Sequence, residues 1–169
     1  MSDRKIVSYW AVPNETDAAT YQTVIDAFAK TQGGAGFRPH LSLGSLAHHD
    51  PDLNDVREHL NGLCLIPTGI GRSDIFTQSL FVSFAASDGL LRARECLASR
   101  PSFHSSRSFK PHISLCYGAP HDVDARHAEM ADLLSRPVHF DRVWAVEIRL
   151  PVVSHDEVQR WTPLAVFEI

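Results

Sequence analysis

A short pattern written twice constrains this chain more than any other feature in it. Residues 38–43 read Arg-Pro-His-Leu-Ser-Leu and residues 110–115 read Lys-Pro-His-Ile-Ser-Leu, one copy in each half of the 169 residues. Along a β-strand successive side chains point to opposite faces. His40 and Ser42 therefore share one face with Leu41 and Leu43 on the other, and His112 and Ser114 repeat the arrangement against Ile113 and Leu115. A single His-x-Ser on a strand is more often a structural hydrogen-bonder beside core residues. The repeat instead predicts two similar lobes, each giving one strand to a cleft that holds two imidazoles and two hydroxyls.

The remainder of the chain supplies a frame for such a cleft. A chain of this length buries roughly 70% of its unfolded surface, and a hydrophobic content of 44% is enough for one sizeable core. Residues 1–169 are thus expected to form a single bilobal domain. A net charge of −4 argues against grip on a long nucleic acid, which needs a basic face, but permits a small anionic ligand held by local donors. Cys64, Cys96 and Cys116 form no Cys-x-x-Cys pair and their number is odd. They read as buried or incidental thiols of a reducing compartment. Residues 1–5 are polar and lead straight into a strand pattern, and no apolar run is long enough to span a membrane. The expected location is the cytoplasm, and the expected state a monomer.

Periodicity gives the order of elements. Strands are predicted at 5–13, 37–45, 64–73, 77–86, 109–117, 138–150 and 158–169, and helices at 17–31, 53–63, 88–97 and 121–134. The run 79–84 is the most apolar strand and is expected to be central. Pro39 lacks an N–H, so the first motif strand begins there or lies at a sheet edge. Asn14 or Thr16 is placed to cap the first helix. Gly33, Gly34 and Gly36 end it rather than forming a phosphate loop, since no Lys-Ser/Thr follows. A polar, serine-rich loop at 100–108 precedes the second motif. The order β-α-β-α-β-β-α-β-α-β-β, with a motif strand after a helix in each half, predicts an α+β fold of two antiparallel sheets with outer helices and an approximate two-fold.

The paired residue types suit displacement at phosphorus. Histidine titrates near neutrality, so two imidazoles across a cleft serve as general base and general acid. One activates water, the other protonates the departing ribose oxygen, and the hydroxyls of Ser42 and Ser114 hold the non-bridging oxygens. In-line displacement needs nucleophile and leaving group on opposite sides of phosphorus, which two motifs related by a two-fold provide. Serine nucleophilic chemistry fits less well, because His40 and Ser42 stand roughly 7 Å apart along the strand and there is no Gly-x-Ser-x-Gly elbow. Ten histidines make a metal site a competitor. However, His48, His49, His104, His121, His127, His139 and His155 are scattered, without His-Glu-x-x-His or His-x-His spacing. Most of them read as solvated surface, and no metal or cofactor is expected.

These residues carry a resemblance. The pattern Pro-His-x-Ser, once early and once late, resembles the two-histidine (2H) phosphoesterase superfamily, marked by two His-x-Thr/Ser motifs. Tyr-Trp-Ala-Val-Pro near the start, Pro-His-Leu-Ser-Leu, and Pro-His-Ile-Ser-Leu-Cys-Tyr are similar to its cyclic phosphodiesterase branch. The resemblance implies a bilobal α+β fold and metal-independent opening of ADP-ribose 1″,2″-cyclic phosphate or nucleoside 2′,3′-cyclic phosphates, the latter to 2′-phosphates. It implies His40 and His112 as the catalytic pair and Ser42 and Ser114 as phosphate-binding hydroxyls. Tyr117 matches a ligand-contacting tyrosine, and Trp10 an aromatic of the first strand. Tyr117 has the wrong strand parity for the His112 face and joins the site only if the strand bends or ends first. Gln78 and Phe76, read on the strand beside the first motif, are further cleft-wall candidates. Arg38 and Lys110 are either rim cations for phosphate or solvated charges. The rival functions are RNA-end processing or 2′-5′ RNA ligase-like chemistry, and a nucleotide-binding module without turnover. Acidic charge and short length favour a small cyclic-phosphate or nucleotide substrate.

Overall fold

A computed structural model describes residues 4–105 and 108–169. Strand β1 (Arg4–Pro13) turns Val7, Tyr9 and Ala11 into the main core and Trp10 and Val12 to its other face. Asn14 ends it and caps α1 (Glu15–Gln32), accepting the Asp17 N–H at 2.9 Å. Gly33, at φ 66°, closes that helix in the left-handed conformation that glycine adopts without strain. The chain continues through β2 (Leu41–Leu46), α2 (Asn54–Leu60), β3 (Cys64–Leu65), β4 (Pro67–Arg72), β5 (Leu80–Phe84) and α3 (Asp88–Ala98). It ends with β6 (His112–Cys116), α4 (His127–Leu133), β7 (Val138–Leu150), α5 (His155–Gln159) and β8 (Thr162–Glu168).

All pairings are antiparallel. One sheet runs β2-β1-β7-β3 with β8 also on β7, and the other runs β4-β5-β6 with β5 central. Each motif strand lies at a sheet edge and pairs with the strand that precedes its helix, β1-α1-β2 in one lobe and β5-α3-β6 in the other. The helices cross over: α1 packs on β6 and α3 on β2. The expected two-fold is therefore a feature of these inner units, around which the sheets grow to unequal size.

Several expected boundaries move for identifiable reasons. Proline has no N–H to give a ladder, so β2 starts only after Pro39 and β6 after Pro111. The single strand expected at 64–73 splits at Ile66-Pro67, with β3 joining β7 and β4 joining β5. The helix expected at 121–134 is a short 3-10 turn followed by α4. The turn expected near 154–156 is the start of α5, where Ser154 and Glu157 form a capping box, and Val158 belongs to that helix rather than to a strand. Residues 1–3 of the expected N-terminal tail, and residues 106 and 107 of the serine-rich loop, lie outside the described residues. Among the described residues no helix is long and apolar enough to cross a membrane.

Candidate active site

The two histidines are held in the same way. His40 stands immediately before β2, and its Nδ1 lies 2.6 Å from the Arg38 carbonyl oxygen. His112 opens β6 with Nδ1 2.8 Å from the Lys110 carbonyl oxygen. A carbonyl only accepts, so Nδ1 carries the proton in both rings and Nε2 is the basic nitrogen of the neutral imidazole. Each carbonyl belongs to the residue before a proline, which is restricted to extended conformations.

An aromatic ring backs each imidazole. Trp10 pairs with Ser42 across β1 and β2 and stacks on His40 at 3.8 Å and 14°. Phe81 pairs with Ser114 across β5 and β6 and meets His112 edge-on at 5.2 Å. Trp10 thus lies against His40, and Phe81 is its counterpart against His112 in the other lobe. Phe81 was legible only as a core strand residue, although it precedes His112 by almost the distance that separates Trp10 from His40.

Burial differs between the lobes. His40 is 8% exposed, enclosed by Trp10, by Trp161 at 6.1 Å and by Phe37 at 6.4 Å. Burial pushes its pKa down to about 4, the Arg38 carbonyl opposes this, and the charge of His112 adds to it. The two motifs are therefore close enough to interact electrostatically. His112 is only half-buried. Ser42 is exposed, and its hydroxyl has no partner among the described residues. Ser114 is buried and donates to the Thr77 carbonyl at 2.8 Å.

The wall residues fall in different places. Strand β6 ends at Cys116, which frees Tyr117 from strand parity. Its ring stacks on Phe37 at 3.8 Å and meets Trp161 at 5.8 Å, joining the aromatic group beside His40. Phe76 and Gln78 are not on a strand beside the first motif. They form a 3-10 turn entering β5, next to the second motif, because the Ser73 hydroxyl binds the Gln78 carbonyl at 2.7 Å and folds the segment back. Phe76 touches Tyr117 at 6.0 Å. His155 is not solvated surface: its Nδ1 accepts the Ala35 N–H at 3.2 Å, and its ring packs against Phe76 at 5.3 Å. Trp161 and Phe37 escaped sequence reasoning because they reach His40 from separate elements. Among the described residues no three metal-ligating side chains come together.

No protein-family model matches the sequence, and neither does any curated protein. Solved structures do match. E. coli LigT complexed with 3′-AMP shares 18% identity at a TM-score of 0.53, covering 99% of this chain and 98% of that one. E. coli LigT complexed with NADP+ gives 16%, 0.53, 99% and 99% in the same order, and E. coli LigT complexed with phosphate gives 17%, 0.50, 99% and 98%. The chain has the two-histidine phosphoesterase fold. Within that fold, the elements that carry both histidines, both serines and their aromatic walls all belong to the part shared with LigT, since the match runs nearly end to end.

Proposed function

We propose that the protein opens cyclic phosphodiesters, ADP-ribose 1″,2″-cyclic phosphate or nucleoside 2′,3′-cyclic phosphates, by metal-independent hydrolysis. The observation that carries this reading is the matched pair of imidazoles, each with Nδ1 pinned to a carbonyl two residues upstream, which makes Nε2 the basic nitrogen of the neutral ring. The phosphate and nucleotide complexes of the LigT structures support a ligand of this class.

The unequal burial supports a division of roles between the two rings. His40 is neutral at physiological pH, so its Nε2 takes a proton from water as the oxygen attacks phosphorus. His112, the more accessible ring, gives a proton to the ribose oxygen as the P–O bond breaks. For a nucleoside 2′,3′-cyclic phosphate, departure of the 3′ oxygen leaves a 2′-phosphate. Ser42 has a free hydroxyl hydrogen to donate to a non-bridging oxygen. Ser114 contributes only after its hydrogen leaves the Thr77 carbonyl.

The test is turnover of a panel of cyclic phosphates by purified protein, with and without a strong chelator and with 2′-5′-linked dinucleotides as controls. Cyclic phosphates should be opened to monoesters at a rate the chelator leaves unchanged. Activity abolished by chelation and restored by zinc or manganese would sink the reading.

A further inference from the structure

On the histidine face of the larger sheet, one row of side chains runs from the first motif to the sheet's far edge. Ser42 pairs with Trp10, Trp10 with Trp144, and Trp144 with Val166. The opposite face of the same strands is the closed core, where Leu41, Ala11, Val143 and Ala145 are fully buried. On the row's own face Trp161 packs on Trp10 at 5.3 Å. Farther out, Val166 is 50% exposed and Leu164, two residues back along β8, is 44% exposed. A half-buried tryptophan and exposed aliphatics continuous with a reactive centre mark a ligand face rather than stray surface residues.

A cation lies over this strip. The Arg38 guanidinium sits 4.2 Å from the Trp144 ring centroid. Arg38 is exposed, and its guanidinium has no hydrogen-bond or ion-pair partner among the described residues. Arg142, beside it on the rim, is instead bound to Asp141 at 3.0 Å. A guanidinium stacked on an indole keeps its outer plane for a second flat ring and its N–H fork for a phosphate. Glu15 shares the groove outside Arg38, which suits one flanking phosphate better than a long anionic backbone. Strand spacing puts Trp144 roughly 10 Å from Ser42, so a group stacked at Trp144 is not the ribose whose phosphate meets Ser42.

We infer that the Arg38–Trp144–Val166 strip is a second subsite, for a phosphate and nucleobase attached beyond the ribose that bears the cyclic phosphate. The inference rests on the cyclic-phosphodiesterase reading and narrows its substrate class to molecules with two nucleoside-like units. Two sources have this chemistry: a dinucleotide ending in a 2′,3′-cyclic phosphate, and ADP-ribose 1″,2″-cyclic phosphate with its diphosphate and adenine.

The experiment compares kcat/KM for uridine 2′,3′-cyclic phosphate with kcat/KM for each of the two longer substrates. Base stacking on an aromatic platform spans roughly 5- to 150-fold in affinity, so at least one longer substrate should be favoured about tenfold or more. Whichever it is names the source. The preference should collapse toward unity in Trp144→Ala and Arg38→Gln and return in part in Trp144→Phe. Equal kcat/KM for all three substrates in the natural protein, or a preference that survives both substitutions, overturns the inference. Calorimetric binding of uridine 2′-phosphate and of the dinucleotide 2′-phosphate keeps the two readings apart. If no cyclic phosphate is opened, the catalytic reading fails, while this binding ratio and its response to Trp144→Ala still decide the subsite.

Discussion

His40 and His112 come from the same hexapeptide pattern, yet their surroundings differ. The repeated pattern by itself treats the two rings alike and assigns neither the base nor the acid. With His40 held to about 4, its neutral form persists well below neutrality, so the acidic limb of kcat/KM should lie near that value. Trp161→Ala opens one wall of the cage, and the imidazole should move back toward its ordinary value of about 6.5. The limb should then move upward by on the order of one pH unit; a limb that stays in place contradicts the role of burial. The same shift acts on stability. Between about 6.5 and about 4 the unfolded chain binds a proton at His40 that the folded chain refuses. Stability from this group is present above that window and declines as pH falls through it, by a total on the order of 3 kcal/mol. The four motif residues were legible because the pattern repeats. The asymmetry was not, because it depends on Trp161 and Phe37, which converge on His40 only in the folded chain.

Strand β5 shows how an element delivers a side chain to the site. Phe81 lies between Gly71 of β4 and Ser114 of β6. A Cβ at Gly71 would come within 2.3 Å of the Phe81 ring, so the ring occupies the space that this glycine leaves. Gly71→Ala should press Phe81 toward His112 and lower kcat on a cyclic nucleotide, with the far-ultraviolet circular dichroism unchanged. Phe81→Leu placed in the same chain should restore part of the loss. Normal kcat in Gly71→Ala would mean that the Phe81 contact does not position His112. Strand β5 and its central place were readable because 79–84 is the most apolar strand run in the chain. The 3-10 turn carrying Phe76 and Gln78 was not, because it is set by the Ser73 hydroxyl on a carbonyl rather than by hydrophobic periodicity. Helix α5 was missed for a related reason: five residues are too few for a 3.6-residue period to show.

The two lobes share one interior. The main core joins Tyr9 and Leu43 of the first sheet to Val82 and Leu115 of the second, with Phe28 of α1 and Leu90 of α3 between them. With each helix packed on the other lobe's motif strand, neither half has a closed core of its own. Denaturant unfolding followed by tryptophan fluorescence and by circular dichroism should give coincident single transitions. Separated midpoints would show that the lobes unfold independently. Leu90→Ala should lower the common midpoint by about 2–5 kcal/mol in stability. The α+β class, the antiparallel sheets and the inner two-fold were readable from the order of elements. The unequal sheets were not, since nothing local in β3 or β8 indicates that both join β7.

The central claim is that one imidazole from each lobe carries the reaction. It is tested most directly by initial rates on a 2′,3′-cyclic nucleotide for His40→Ala, His112→Ala and the double variant, measured in chelator. Each single substitution should reduce the rate on the order of 10²–10⁴-fold, and the double variant should lose little beyond the worse single. Near-full activity in either single variant, on every cyclic phosphate the natural protein opens, would contradict the account.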